Sequence, residues 1–142
     1  MEGIEDIYVA IEFSKRNESV ELFAQHYLKG FKETNGYYEY PPFKDGNEFE
    51  THDYKLMLSY VLQLERSKYK FWFENTDNKE TPFAMMFFNI DGSLFLGLGV
   101  HSEFSPKYVQ KLEHDFKSDL IMYCYNTVPP DSLTEFKFII KG

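Results

Sequence analysis

The sequence predicts an α+β fold in which three helices pack on a mainly antiparallel sheet of about six strands. Segments rich in β-branched and aromatic residues lie at both ends of the chain and at its centre, and amphipathic segments separate some of them. Several strand segments follow one another directly, which favours hairpins over the strict strand and helix alternation of a parallel sheet. A length of 142 residues fits a single domain, residues 1–142.

Composition and charge narrow the classes of function. Hydrophobic residues make up 43% of the chain and aromatic residues 19%, enough to build a packed core. The net charge of −8 disfavours direct binding to nucleic acid or anionic membranes and favours a basic partner. Cys124 is the single cysteine, so no internal disulfide can form, which fits a reducing compartment. With an acidic N-terminus and no long apolar run, we expect a soluble, cytoplasmic protein.

The N-terminal half predicts a strand, a helix, a long loop and a second helix. Residues Ile4–Phe13 favour a strand, and apolar residues spaced by three and four after Asn17 predict a helix with that residue as N-cap. Three turn signals over residues 34–50 predict a long ordered loop. Residues Thr51–Arg66 fit both periodicities, and their length and strong helix formers favour a helix over a strand.

The C-terminal half predicts five strands and one helix. Alternation marks a strand at 69–74, and Asp91-Gly92 predicts a two-residue turn of the primed type between strands 83–90 and 93–101. Ser105-Pro106 predicts a helix start. Two final strands are expected at 120–125 and 136–140. Within strand 93–101, Gly97 and Gly99 leave one face bare, which favours a helix packed there over a ligand pocket.

No motif indicates catalysis, a metal or a cofactor. The four histidines are scattered, without the spacing of metal ligands. His101 and Glu103 are the best candidates for an acid and base pair, but so short a pattern arises often by chance. Gly97-Leu98-Gly99 lacks the third glycine and helix start of a phosphate loop. We therefore expect no enzyme and no cofactor, and the alternatives left open are a small-ligand-binding or sensor domain and a small enzyme using His101 and Glu103.

An acidic, aromatic segment is the best candidate for partner contact. Residues Glu33–Tyr54 contain six acids against Lys44 alone, together with several tyrosines and phenylalanines. Tyrosine suits interface hot spots because a rigid apolar ring carries a polar tip. The alternative is that these rings fold inward and cap the core. The predicted contact residues, with the single tryptophan added, are Tyr37, Tyr38, Glu39, Tyr40, Asp45, Glu48, Glu50, Asp53 and Trp72.

Three stretches resemble a pattern seen in bacterial immunity proteins. They are Phe71-Trp72-Phe73-Glu74-Asn75, Ala84-Met85-Met86-Phe87-Phe88 and the segment 91–100 from Asp91-Gly92 to Val100. Such proteins belong to polymorphic-toxin and contact-dependent inhibition systems. The resemblance covers about a third of the chain and implies a cytoplasmic binding protein that neutralises a cognate toxin domain, such as a nuclease, by occluding its active site. It assigns no site residues, because the matching stretches are core and turn positions.

Overall fold

The computed structural model describes residues 3–42, 46, 48–125 and 127–141 and has the predicted α+β architecture. Eight strands and four α-helices are described. The strands are β1 (Ile4–Ile11), β2 (Lys32–Glu33), β3 (Tyr38–Tyr40), β4 (Phe49–Thr51), β5 (Tyr69–Glu74), β6 (Phe83–Phe88), β7 (Leu94–His101) and β8 (Ile121–Cys124). The helices are α1 (Arg16–Tyr27), α2 (Tyr54–Leu62), α3 (Ser105–Phe116) and α4 (Leu133–Lys141).

Six strands form one antiparallel sheet in the order β2-β5-β6-β7-β1-β8. The hairpin β6-β7 lies at its centre, as the unbroken apolar run in β6 predicts, because a central strand covered on both faces needs apolar residues at every position. The turn of this hairpin differs from the prediction. Asn89 and Ser93 close a three-residue loop, and only Gly92 adopts a positive φ, so the turn is not of the primed two-residue type.

The first face of the sheet carries the main core. The side chains of this face alternate along each central strand, as with Ala84, Met86 and Phe88 of β6. Helices α1, α2 and α3 cover this face through residues such as Phe23, Met57 and Leu112, all of which are buried. The helix favoured over a strand for residues 51–66 is therefore confirmed, in the shorter span 54–62.

The second face of the sheet is covered by α4, where the sequence predicted a strand at 136–140. Phe136 is fully buried and its ring lies 4.7 Å from that of Phe95. The strand predicted from the alternation of apolar residues is wrong. Phe138, one of the alternating residues, points outward and is 80% exposed. The helix start is stabilised instead by Ser132, whose hydroxyl accepts from the Glu135 amide at 3.1 Å.

The predicted long loop at residues 34–50 contains a second, two-stranded sheet. Strands β3 and β4 pair antiparallel, with Glu39 opposite Glu50. Tyr38 anchors this hairpin to the main core, since its side chain is only 2% exposed and its ring lies 5.7 Å from that of Phe71. Turn signals therefore marked the ends of two short strands rather than an irregular segment.

Arg16 links α1 to the end of α2. Its buried guanidinium donates to the carbonyl oxygen of Leu62, the last residue of α2, at 3.4 Å and to that of Leu64, two residues farther on, at 2.8 Å. The same group lies over the ring of Phe13, 4.5 Å from its centroid. Burial lowers the pKa of Arg16.

Candidate binding surface

Helix α4 covers only part of the second face, and a groove of about 980 Å³ lies on the part left open. We call it the sheet groove. The described residues that line it are Ile4, Asp6, Thr34, Trp72, Phe73, Phe83, Met85, Cys124, Thr127 and Val128. Most of these side chains are apolar, and Asp6 is the one charged residue among them. Such a concave, mainly apolar site with few polar groups is typical of ligand and partner recognition.

Side chains of neighbouring strands fill the positions that Gly97 and Gly99 leave bare. A Cβ atom on Gly97 would lie 2.5 Å from Cε1 of Tyr8, and one on Gly99 would lie 2.9 Å from Cβ of Phe83. The expected helix is therefore not what approaches these glycines, because α4 packs farther along the sheet, against Phe95. The missing side chains therefore leave room for the ring of Tyr8 over Gly97 and for the side chain of Phe83 over Gly99.

Asp6 places a carboxylate inside the sheet groove. It faces the groove from β1, and in the described part of the chain it has no hydrogen bond or salt bridge. Burial raises the pKa of Asp6, as expected for a carboxylate in apolar surroundings. Cys124 is its cross-strand neighbour on β8, and burial likewise raises the pKa of that thiol. Cys124 therefore has the character of a packed, unreactive cysteine, as expected from the sequence.

Trp72 stands between the sheet groove and a second depression. Its side chain is 41% exposed, and its ring lies 4.9 Å from that of Phe87, edge to face. On its other side, a depression of about 720 Å³ is bounded by Tyr40, Pro41 and the exposed Ile90. We call the open surface formed by these two depressions around Trp72 the Trp72 face.

Two lysines lie at the edge of the Trp72 face, and each has a partner. Lys68 forms a salt bridge with Asp131, at 3.5 Å. The ammonium group of Lys70 lies 4.9 Å from the ring centroid of Phe87. Both lysines line the second depression, and no lysine or arginine lines the sheet groove among the residues described.

The predicted acidic residues lie on the outer side of the β3-β4 hairpin and at the start of α2. Glu39 and Glu50 are cross-strand neighbours, and Glu50 accepts a hydrogen bond from the hydroxyl of Tyr37 at 2.7 Å. Glu48 accepts from the hydroxyl of Tyr60 at 3.3 Å. Asp53 caps α2 by accepting from the amide of Lys55 at 2.9 Å. We call Glu39, Glu48, Glu50 and Asp53 the acidic rim; Asp45 lies outside the described residues.

The structure separates the predicted contact tyrosines. Tyr37 is 43% exposed, and its ring lies at the surface, 5.4 Å from that of His52. Tyr38 is buried, as in the alternative in which these rings cap the core, so it is not part of the contact surface. Tyr40 is half-buried, with its ring 5.7 Å from that of Tyr60, and it forms a wall beside Trp72. The hairpin therefore brings the acidic rim next to the Trp72 face.

The other candidate residues do not assemble into a recognisable site. Among the described residues, no hydrogen bond or ion pair joins His101 to Glu103, and no cluster of three His, Cys, Asp or Glu side chains could hold a metal ion. His26 lies 3.6 Å from Asp115, and His52 contacts the carbonyl oxygen of Gly36 at 2.9 Å. These two histidines have surface contacts with nearby residues.

Asp6 is the residue that sequence reasoning missed. A signal was available, since Asp6 shares the face of β1 that carries Tyr8 and Ala10, which are buried, and an acid on such a face is unusual. None of the helices in the described ranges is long and apolar enough to span a membrane. Searches with this chain against models of protein families, against curated proteins and against solved structures find no match.

Proposed function

We propose that this chain is a binding protein that neutralises a cognate bacterial toxin domain by occluding its active site, and that it supplies no chemistry of its own. The observation that carries the proposal is the position of Trp72, a partly exposed tryptophan standing between two depressions on an uncovered sheet face. Tryptophan is enriched among the residues that contribute most to protein interfaces, and such residues lie in pockets that the partner fills.

The charge of the molecule supports a basic partner. The acidic rim adjoins the Trp72 face through the β3-β4 hairpin, and the whole chain carries a net charge of −8. An acidic surface accelerates encounter with a basic active-site cleft, such as that of a nuclease. The acids of the rim and the aromatic anchor therefore affect different rates. Exposed charges act mainly on the association rate, and buried rings act mainly on the dissociation rate. The site of action would be the cytoplasm of the producing cell.

Binding kinetics with the product of the neighbouring gene test this proposal. Trp72→Ala should raise the dissociation rate about 30-fold, the effect of roughly 2 kcal/mol expected at an interface anchor, with little change in salt dependence. Replacing the four acids of the acidic rim by their amides should slow association and flatten its salt dependence.

Leu56→Ala is the matched control for Trp72→Ala. Leu56 is 54% exposed on α2, outside the Trp72 face, so its removal should leave both rates unchanged. A neighbouring toxin that binds the wild type and the Trp72→Ala variant with equal rates would place the contact elsewhere. If it binds neither, and expression of this chain gives no protection from it, the proposed function is wrong.

The sheet groove also favours a second candidate function, a small-ligand-binding or sensor domain. The groove has the volume of a small-molecule site and lies on the glycine-bearing face. Thermal denaturation with a panel of neutral and charged small molecules separates the two, since tight binding to the folded state raises the midpoint. A small molecule that stabilises the wild type, but not a Met85→Trp variant that fills the groove, would favour the sensor reading.

A further inference from the structure

The charge of the sheet groove lies at one point, the carboxylate of Asp6. The other lining residues are apolar or uncharged, and among the described residues no cation approaches this carboxylate. Withdrawing a carboxylate from water without a partner is unfavourable. A protein that retains such a group therefore gains when a cation enters from outside and restores the lost interactions.

The dimensions of the groove suit a segment of protein chain. Trp72 is opposite Met85, Met85 is opposite Gly97, and Gly97 is opposite Tyr8. Three strand spacings therefore separate the Trp72 wall from β1, about 14 Å in all. A segment of the partner's chain can therefore lie across the groove, with one side chain at Asp6 and neighbouring groups against Trp72.

We infer that the sheet groove receives an arginine or lysine side chain of the partner protein, with its cation at Asp6 and its aliphatic stem against Met85 and Phe83. The identity of the partner rests on the proposed function. Charge complementarity selects the occupant, because the described residues of the groove offer one carboxylate, no cation and mainly apolar walls. A basic side chain from a toxin cleft would be removed from its own substrate by this contact.

A titration with small probes tests the recognition without the partner. N-acetyl-arginine-N-methylamide is the basic probe, and N-acetyl-citrulline-N-methylamide is its neutral counterpart of nearly the same shape. Trp72 is the only tryptophan, so its indole N–H resonance reports on the groove directly. We expect a saturable shift with the arginine probe, in the millimolar range, and none with citrulline.

Two variants make the titration specific for Asp6. Asp6→Asn should weaken arginine binding about tenfold or more, the loss typical of a charge-assisted hydrogen bond. Asp119→Asn removes the same charge from an exposed position before the opposite end of β8, and it should bind the probe as the wild type does. Equal responses to both probes, no response to either, or equal weakening in both variants would each overturn the inference.

The same variants distinguish this inference from the proposed function. If the neighbouring toxin binds the wild type and Asp6→Asn equally well, the groove does not receive its basic side chain, although the proposed function stands. If no toxin binds the wild type, the proposed function fails, and the partner assigned to the groove fails with it. Weaker toxin binding in Asp6→Asn alone, with Asp119→Asn unchanged, supports both.

Discussion

Gly97 is the position where the packing of the second face can be tested most sharply. Replacing it by alanine would place Cβ 2.5 Å from Cε1 and 2.6 Å from Cδ1 of the Tyr8 ring. These distances are far shorter than any real contact, so the ring must move. Tyr8 is only 2% exposed and its ring packs 5.5 Å from that of Phe87, which leaves it little room.

The expected loss of stability follows from two opposing effects. Forcing an extra carbon into a packed core costs about 1–3 kcal/mol. Alanine is otherwise preferred over glycine in a strand by roughly 0.5–1 kcal/mol. The packing cost is the larger of the two, and we expect Gly97→Ala to lower the free energy of unfolding by about 1–2 kcal/mol. For a chain of this length, that loss lowers the melting temperature by roughly 3–7 °C.

Thermal unfolding followed by circular dichroism measures this effect. Gly36→Ala is the matched control, because no atom lies within 4 Å of a Cβ placed there, and its melting temperature should stay within about 2 °C of the wild type. In a Tyr8→Val background the Gly97→Ala penalty should shrink, since the clashing ring is gone. A Gly97→Ala protein as stable as the wild type, or an unchanged penalty without Tyr8, would refute the packing described here.

Three further predictions concern the chain alone. Phe136→Ala should cost about 3–5 kcal/mol in urea unfolding, whereas Phe138→Ala, on the exposed side of α4, should change stability by less than about 0.5 kcal/mol, and equal losses would contradict the helix assignment. Backbone amides of Met85–Phe88 should exchange with deuterium among the slowest in the protein, because β6 is paired on both sides; fast exchange would place it at an edge. Burial raises the pKa of Asp6, so its ionised form lowers the stability of the folded state at neutral pH, and this cost disappears once the pH falls below the ordinary value of 3.8. Asp6→Asn should therefore be more stable than the wild type near pH 7 and equally stable near pH 3, and a variant less stable at pH 7 would show that the carboxylate is stabilising.

Local sequence signals correctly predicted those helices and strands whose pattern of apolar residues matches the face that the fold buries. The unbroken apolar run of β6 predicted a central strand, and β6 pairs with a strand on each side and is buried on both faces. In α1, the spacing of Val20, Phe23 and Tyr27 predicted the helix that packs them on the first face. The prediction for the C-terminal segment was wrong. Phe136, Phe138 and Ile140 alternate like a strand, but Phe136 and Ile140 are also one helical turn apart, and only the sheet surface beneath them selects the helix.

Some features of the candidate site could be predicted from local sequence, and others depend on the tertiary structure. The acidic rim was predicted from composition, because exposed charge is a property of a short segment and survives whatever the rest of the fold does. The burial of Tyr38 could not be predicted from composition, because an aromatic ring in a short strand turns inward or outward according to what packs against the strand.

The sequence by itself determined the α+β class, the central hairpin, most of the helices, and the acidic, aromatic character of residues 33–54. These depend on local periodicity, turn residues and charge. Only the tertiary structure decided that part of one sheet face stays open, that Trp72 stands beside the groove there, and that Asp6 lies within it. These residues come from strands far apart in the chain, and strand pairing alone brings them onto one surface. A groove is a property of what the last helix leaves uncovered, which no local pattern records.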